Sequence, residues 1–230
     1  MRAYDLVAFD VDGTLIESDD GETIWEVLNR RVIGSNKMNR HRYAQYRQGK
    51  LSYAGWVALD VGGWQEAGAR REDLVAGCLT QRLASGARET MNALLQAGCR
   101  LVAISGTLDL LLDTLYPDHP FEQVYSNRIR FDAHGKIAGW EATPFDMEGK
   151  ARALALVSER TGVPLARCAY VGDSTNDVWI ARAAGFTVAR NPRCEELERL
   201  ADAVVRSDDM RDLLPHLLPE TGGSPPSGCK

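Results

Sequence analysis

The sequence predicts an α/β fold, a doubly wound Rossmann-like parallel sheet with a helical insertion after its first strand. Three observations carry this. Short apolar runs recur along the chain, amphipathic stretches lie between them, and glycines follow those stretches where helix ends are expected. Strands apolar on both faces and separated by helices indicate a parallel sheet covered on each side.

The first such run is Leu6-Val7-Ala8-Phe9. Residues 18–85 then show helical patterns but no strong strand, and read as the insertion. An amphipathic helix from Glu89 to Ala97, closed by Gly98, precedes a strand from Cys99 to Ile104. From Asn127 to Thr143, Ala133-His134-Gly135-Lys136 separates two alternating runs, which predicts a β-hairpin. A helix from Gly149 to Thr161 ends at Gly162 and leads to the strand Cys168 to Val171. A third helix, Asp177 to Ala184, is expected to end at Gly185; shorter strands follow at Phe186 to Ala189 and Ala203 to Val205. The division expected is a core of residues 1–17 and 86–218, a helical cap of 18–85, and a disordered tail of 219–230.

Composition narrows the function. With 230 residues, 44% of them hydrophobic, the chain can fill one core and carry a small appendage. Acidic residues outnumber basic ones by 32 to 27, which argues against a nucleic-acid binder with a dominant basic surface. No apolar run approaches the roughly 20 residues of a membrane span, and the opening Met1-Arg2-Ala3-Tyr4-Asp5 lacks the shape of a secretory signal. The expected location is therefore the cytosol. Five scattered cysteines form no Cys-x-x-Cys pair and read as free thiols, and the four histidines lack metal-ligand spacing. Zinc hydrolases leave the front rank.

The chemistry lies at strand ends. In Phe9-Asp10-Val11-Asp12-Gly13-Thr14-Leu15, spacing by two puts Asp10 and Asp12 on one side of the chain where it leaves the first strand. Two carboxylates there are costly unless a cation or substrate uses them, and open α/β sheets bind ligands at this end. A second acidic group, Gly172-Asp173-Ser174-Thr175-Asn176-Asp177, follows the Cys168 strand. One helix cap needs one such residue, and this loop holds five. Hard oxygen donors on two neighbouring loops suit Mg²⁺. Ser105-Gly106-Thr107 reads either as an anion-holding hydroxyl and backbone N–H set at a helix start or as an ordinary N-cap. Lys150, in the first turn of its helix, opposes the helix dipole and is either a surface lysine or a charge needed elsewhere.

In this order the four segments resemble the motifs of the haloacid dehalogenase superfamily, specifically its phosphatases. The resemblance spans residues 5 to roughly 190, and its first and last motifs are highly specific. An insertion between the first and second motifs resembles the subgroup with a helical cap, of which phosphoserine phosphatases are the best-known members. Tyr125-Ser126-Asn127-Arg128 and the following hairpin resemble that subgroup too.

The resemblance implies that Asp10 is a nucleophile forming an aspartyl-phosphate, with Asp12 as general acid and then base. Crowding by other carboxylates is expected to keep Asp12 protonated part of the time. The resemblance also implies Mg²⁺ held by Asp10, the backbone carbonyl of Asp12 and Asp173, with Asp177 either supporting those ligands from behind or partnering Lys150. Ser105, Gly106, Lys150 and Asn176 would bind the phosphate. Asp12 separates phosphatases and phosphotransferases from dehalogenases, since a halide leaves without a proton. The expected partner is a small-molecule phosphate ester. Two alternatives remain: a phosphotransferase using the same intermediate, and a non-catalytic binding protein on this fold.

In the cap, Glu22 resembles a glutamate that meets the substrate amino group in phosphoserine phosphatases. Gly49-Lys50-Leu51-Ser52-Tyr53 resembles the family's Gly-Lys-Leu-x-Phe, and counting on from it puts the family's carboxylate-binding arginine near Asp60. No arginine lies between Arg47 and Arg70, so phosphoserine itself is not the expected preferred substrate. Trp25, Trp56 and Trp64 read as cap core, with a pocket for a more apolar leaving group as the alternative. The basic run from Arg30 to Lys50 reads as a solvated helix face.

Overall fold

The computed structural model describes residues 4–218; the tail expected at 219–230 lies outside them, as do residues 1–3. The chain opens with strand β1 (Leu6–Phe9) and a short strand β2 (Ile16–Glu17). Four α-helices follow, α1 (Ile24–Leu28), α2 (Lys37–Arg47), α3 (Tyr53–Glu66) and α4 (Arg71–Cys78), with a π-helical turn over Asn29–Ile33 continuing the first. The short β3 (Arg82–Leu83) pairs back onto β2 in an antiparallel ribbon, so the helical segment leaves and rejoins the core through one two-stranded stem. The core then continues as α5 (Ala87–Gln96), β4 (Arg100–Leu108), α6 (Asp109–Leu115), β5 (Gln123–Phe131) and β6 (Ile137–Glu141). It closes with α7 (Gly149–Thr161), β7 (Cys168–Gly172), α8 (Val178–Ala183), β8 (Phe186–Arg190), α9 (Glu195–Leu200), β9 (Ala203–Val205) and α10 (Leu214–Leu217).

The main sheet has seven strands in the order β6-β5-β4-β1-β7-β8-β9. All neighbours are parallel except the β5–β6 hairpin. β1 sits at the centre and is buried on both faces, because successive side chains point opposite ways. Val7 and Phe9 join the cluster containing Met91 and Leu94 of α5, whereas Leu6 and Ala8 join that containing Ala153, Leu154 and Val157 of α7. This explains the uniformly apolar runs. With β4 on one side and β7 on the other, the chain reverses its winding at β1, which leaves a crevice at the carboxyl ends of these three strands.

Gly98 and Gly162 follow α5 and α7 in the left-handed conformation, at φ +84° and +71°, as expected. Gly185 does not. α8 ends with Ala184 extended, at φ −67° and ψ 148°, and the Gly185 N–H donates to the carbonyls of Leu165 and Cys168. A Cβ on Gly185 would lie 2.5 Å from the carbonyl oxygen of Ala166, so the glycine is required by close backbone approach rather than by handedness. Gly185→Ala is accordingly expected to destabilise the fold by about 1–3 kcal/mol, read by urea denaturation; an unchanged midpoint would show that the loop at Ala166 yields freely.

Ser105-Gly106-Thr107 also departs from expectation. These residues continue β4 to Leu108 and do not cap a helix; α6 begins at Asp109. β4 keeps pairing with β5 across an irregularity between Ile104 and Leu108, and that extra pairing holds the segment in the sheet. The cysteines Cys78, Cys99, Cys168 and Cys194 are free thiols, as the sequence suggests. No helix among the described residues is long and apolar enough to cross a membrane.

Candidate active site

Asp10 is the first residue beyond β1, and its N–H donates to Val171 of β7, so the backbone stays in sheet register one step past the strand. Its side chain is 2% exposed. Lys150 Nζ lies 3.0 Å from Asp10 Oδ1 and 2.6 Å from Asp177 Oδ1, and it donates to the Tyr170 hydroxyl at 3.2 Å. Lys150 is completely buried, so the lysine that opposes the helix dipole is an internal counter-ion. Burial alone would discharge it, but Asp10 and Asp177 outweigh burial and hold it protonated. Asp10 is pushed well above the usual carboxylate range by burial, with Lys150 working against the shift.

Asp12 is half-buried and lines the crevice. Its Oδ2 accepts the backbone N–H of Ile24 at 2.8 Å, at the first residue of α1, which ties this carboxyl to the helical segment. Burial pushes Asp12 up to about 7, against the pull of the Ile24 N–H. The nearby carboxylate Asp173 contributes less than burial does, so crowding is not the main cause. Gly13 has φ +91°, and a Cβ there would strike the Arg193 guanidinium and the Asp173 carboxylate. The turn needs glycine on both counts.

Asp10, Asp173 and Asp177 each bring a carboxylate oxygen within 4.8 Å of the others. Asp177 is already committed, because Oδ1 accepts from Lys150 and Tyr170 while Oδ2 accepts the N–H groups of Asp173 and Ser174 at 2.8 and 2.9 Å. Asp173 is engaged as well, since Oδ1 accepts from the Thr14 hydroxyl at 3.1 Å and Oδ2 from Arg193 at 2.8 Å, so a cation held by Asp10 and Asp173 would take the place of the Arg193 charge. Burial raises Asp173 to about 6, and Arg193 opposes the shift from 2.6 Å.

The crevice opens into a cavity of about 370 Å³, within the range of small-molecule sites. Asp10, Asp12, Ser105, Gly106 and Asn176 line it. A Cβ on Gly106 would clash with the Asp146 carboxylate, which accepts from Asn176 Nδ2 at 3.1 Å. Glu22 is not among the lining residues; it pairs with Arg30 at 2.6 Å and accepts from Asn36 at 3.2 Å, while Glu26 faces the cavity. Trp25 and Trp56 line the cavity, and Trp64 alone of the three is fully buried among core side chains. Arg42, read from the basic run as solvated, instead forms an ion pair with buried Asp60. Arg193 has no counterpart in the sequence reading. It lies just beyond β8, and its position after a parallel strand's carboxyl end was the available signal.

A sequence profile of the haloacid dehalogenase-like hydrolases matches residues 7–182. The chain belongs to this family. It is 32% identical over 203 residues to a phosphoserine phosphatase of Mycobacterium tuberculosis, covering 88% of this chain and 47% of that protein. It thus spans about half the length of that relative. A phosphoserine phosphatase of Halobacterium salinarum is 30% identical, with 82% of this chain and 86% of that protein covered. A structure described as a phospho-aspartyl intermediate analogue of phosphoserine phosphatase superposes with a TM-score of 0.75 at 21% identity, covering 93% of this chain and 99% of that one. At that identity the likeness is one of fold.

Proposed function

We propose that this protein is a Mg²⁺-dependent phosphomonoester hydrolase that acts on a small phosphorylated metabolite through an aspartyl-phosphate on Asp10. The observation that carries this reading is the meeting of Asp10 and Asp12 in one ligand-sized cavity, with the Lys150 ammonium held against Asp10. The carboxylates of Asp10 and Asp173, with the backbone carbonyl of Asp12, fit Mg²⁺, which favours oxygen donors and needs few carboxylates. When bound, the ion would offset negative charge on the nucleophile and the phosphate.

The chain's own groups supply the rest. Lys150 orients Asp10 and keeps positive charge beside it as its oxygen attacks phosphorus. Ser105, Gly106 and Asn176 bind phosphoryl oxygens at the cavity floor. Asp12, anchored through Oδ2 by Ile24, carries its proton on Oδ1 and delivers it to the leaving alcohol, then takes a proton from the attacking water. The phosphoserine phosphatase relatives support phosphate-ester chemistry, and water rather than a second alcohol is the acceptor in this reading. We also read residues 18–85 as a cap over the crevice and the remainder as the core domain, a division supported by the stem of β2 and β3. The direct test is turnover of an aryl phosphate in Mg²⁺ and after chelation. The expected result is release of phosphate that chelator abolishes and added Mg²⁺ restores; no release in either condition would refute the reading.

A further inference from the structure

From Gly106 outward, the cavity is walled by aromatic rings and meets one unsatisfied carboxylate oxygen. Trp25, Tyr43, Tyr53 and Trp56 line it. Trp56 lies 5.9 Å from Tyr43 and 6.4 Å from Tyr53 between ring centroids, so these three form a continuous wall. The polar edges of Trp25 and Tyr53 are already hydrogen-bonded. The Trp25 indole donates to the Gly106 carbonyl at 2.9 Å, and the Tyr53 hydroxyl accepts from Asn127 at 2.7 Å. What those rings can present to a ligand is carbon.

Asp60 lines the same cavity and is 1% exposed. Its Oδ1 is paired with Arg42 and accepts from Asn29 at 3.1 Å. Its Oδ2 is buried with no hydrogen-bond partner among the described residues, while the Trp56 indole N–H is directed at the same carboxyl as a donor. A buried acceptor left unpaired is unfavourable, and a ligand that supplies the hydrogen gains from it. Arg42 already balances the charge, so Oδ2 lacks a hydrogen rather than a counter-charge. A carboxylate there would set acceptor against acceptor. An ammonium would sit near Arg42 and near Arg40, which also lines the cavity.

We propose that this end is a leaving-group subsite selecting phosphate esters whose alcohol carries a flat apolar body ending in a neutral hydrogen-bond donor, a hydroxyl, given to Asp60 Oδ2. The proposal rests on the phosphomonoesterase reading for its description as a leaving-group site. It disfavours phosphoserine, whose short zwitterionic alcohol leaves the rings uncovered and gives Oδ2 no neutral donor.

Non-hydrolysable phosphonates, titrated calorimetrically with Mg²⁺ present, test it without relying on turnover. The probes are propylphosphonate, 3-phenylpropylphosphonate, its para-hydroxymethyl and para-carboxylate derivatives, and L-2-amino-4-phosphonobutyrate, the phosphoserine analogue. The phenyl compound should bind roughly ten- to a hundredfold more tightly than the propyl one. The hydroxymethyl group should add about threefold to tenfold, and the carboxylate should weaken binding relative to phenyl. Trp56→Leu should narrow the phenyl-to-propyl ratio, and Asp60→Asn the hydroxymethyl-to-carboxylate ratio. Should Asp60→Asn fail to fold, the wild-type series and Trp56→Leu decide. Equal binding of phenyl and propyl compounds overturns the proposal, as does tenfold tighter binding of the phosphoserine analogue than of the phenyl compound. Turnover of the matching esters is read separately. Its absence beside an intact phosphonate preference fails the hydrolase reading but supports the subsite, and turnover without preference does the reverse.

Discussion

Asp10→Asn is expected to lower kcat/KM for any phosphate ester by on the order of 10⁴-fold or more. The amide has no anionic oxygen with which to attack phosphorus. It also removes one of the two carboxylates proposed to hold the cation and takes the negative partner from Lys150 at 3.0 Å. Acid quenching during turnover of a labelled ester should trap phosphate on the wild-type protein and none on the variant. Mg²⁺ affinity, measured separately, should fall as well. Near-wild-type turnover by a variant whose intact mass shows the amide still in place would end the assignment of Asp10 as nucleophile.

The second large effect is expected from Asp12→Asn and depends on the leaving group. For an alkyl ester the phosphorylation step should slow by about 10²- to 10⁴-fold, because an alkoxide needs a proton as it departs. A nitrophenyl ester should lose far less, since its oxide leaves without one. The pH dependence has a defined sign. Burial raises Asp12 to about 7, so the proton-bearing form predominates below that pH. Single-turnover phosphorylation by the alkyl ester should therefore decline as pH rises through about 7, by tenfold per unit well above it. Asp12→Asn should abolish that limb. Equal losses for both esters, with the pH limb kept, would assign Asp12 a structural role.

The strand-end carboxylates were legible in the sequence because their signals are local. Asp10 and Asp12 are two residues apart on one chain, and Asp173 and Asp177 lie in one loop, so a backbone that leaves a buried strand must bring each set together. The uniformly apolar β1, β4 and β7 likewise declared the sheet. Asp177 accepts four hydrogen bonds, from Lys150, Tyr170 and the N–H groups of Asp173 and Ser174, all within reach of its own loop or the neighbouring strand and helix.

Other features depended on contacts between distant segments. Whether Lys150 faced solvent or Asp10 depended on how α7 packs against β7, since the dipole argument constrains charge but not direction. Gly185 looked like a helix cap, and only the approach of the Ala166 carbonyl shows why no side chain fits. Asp60 was legible as a missing arginine but not as the partner of Arg42, because an ion pair 18 residues apart requires α2 and α3 to cross at that height. Periodicity can tell an aromatic face from a polar one, and so it marked Trp25, Trp56 and Trp64 alike. It cannot tell a core from a cavity wall. By itself the sequence determined the fold class, the strand-end carboxylates and the placement of the helical insertion, all consequences of short-range spacing and of burial on both strand faces. The tertiary structure alone decided which side chains of that insertion face the cavity, because the docking of helices onto the crevice is set by packing among residues far apart in the chain.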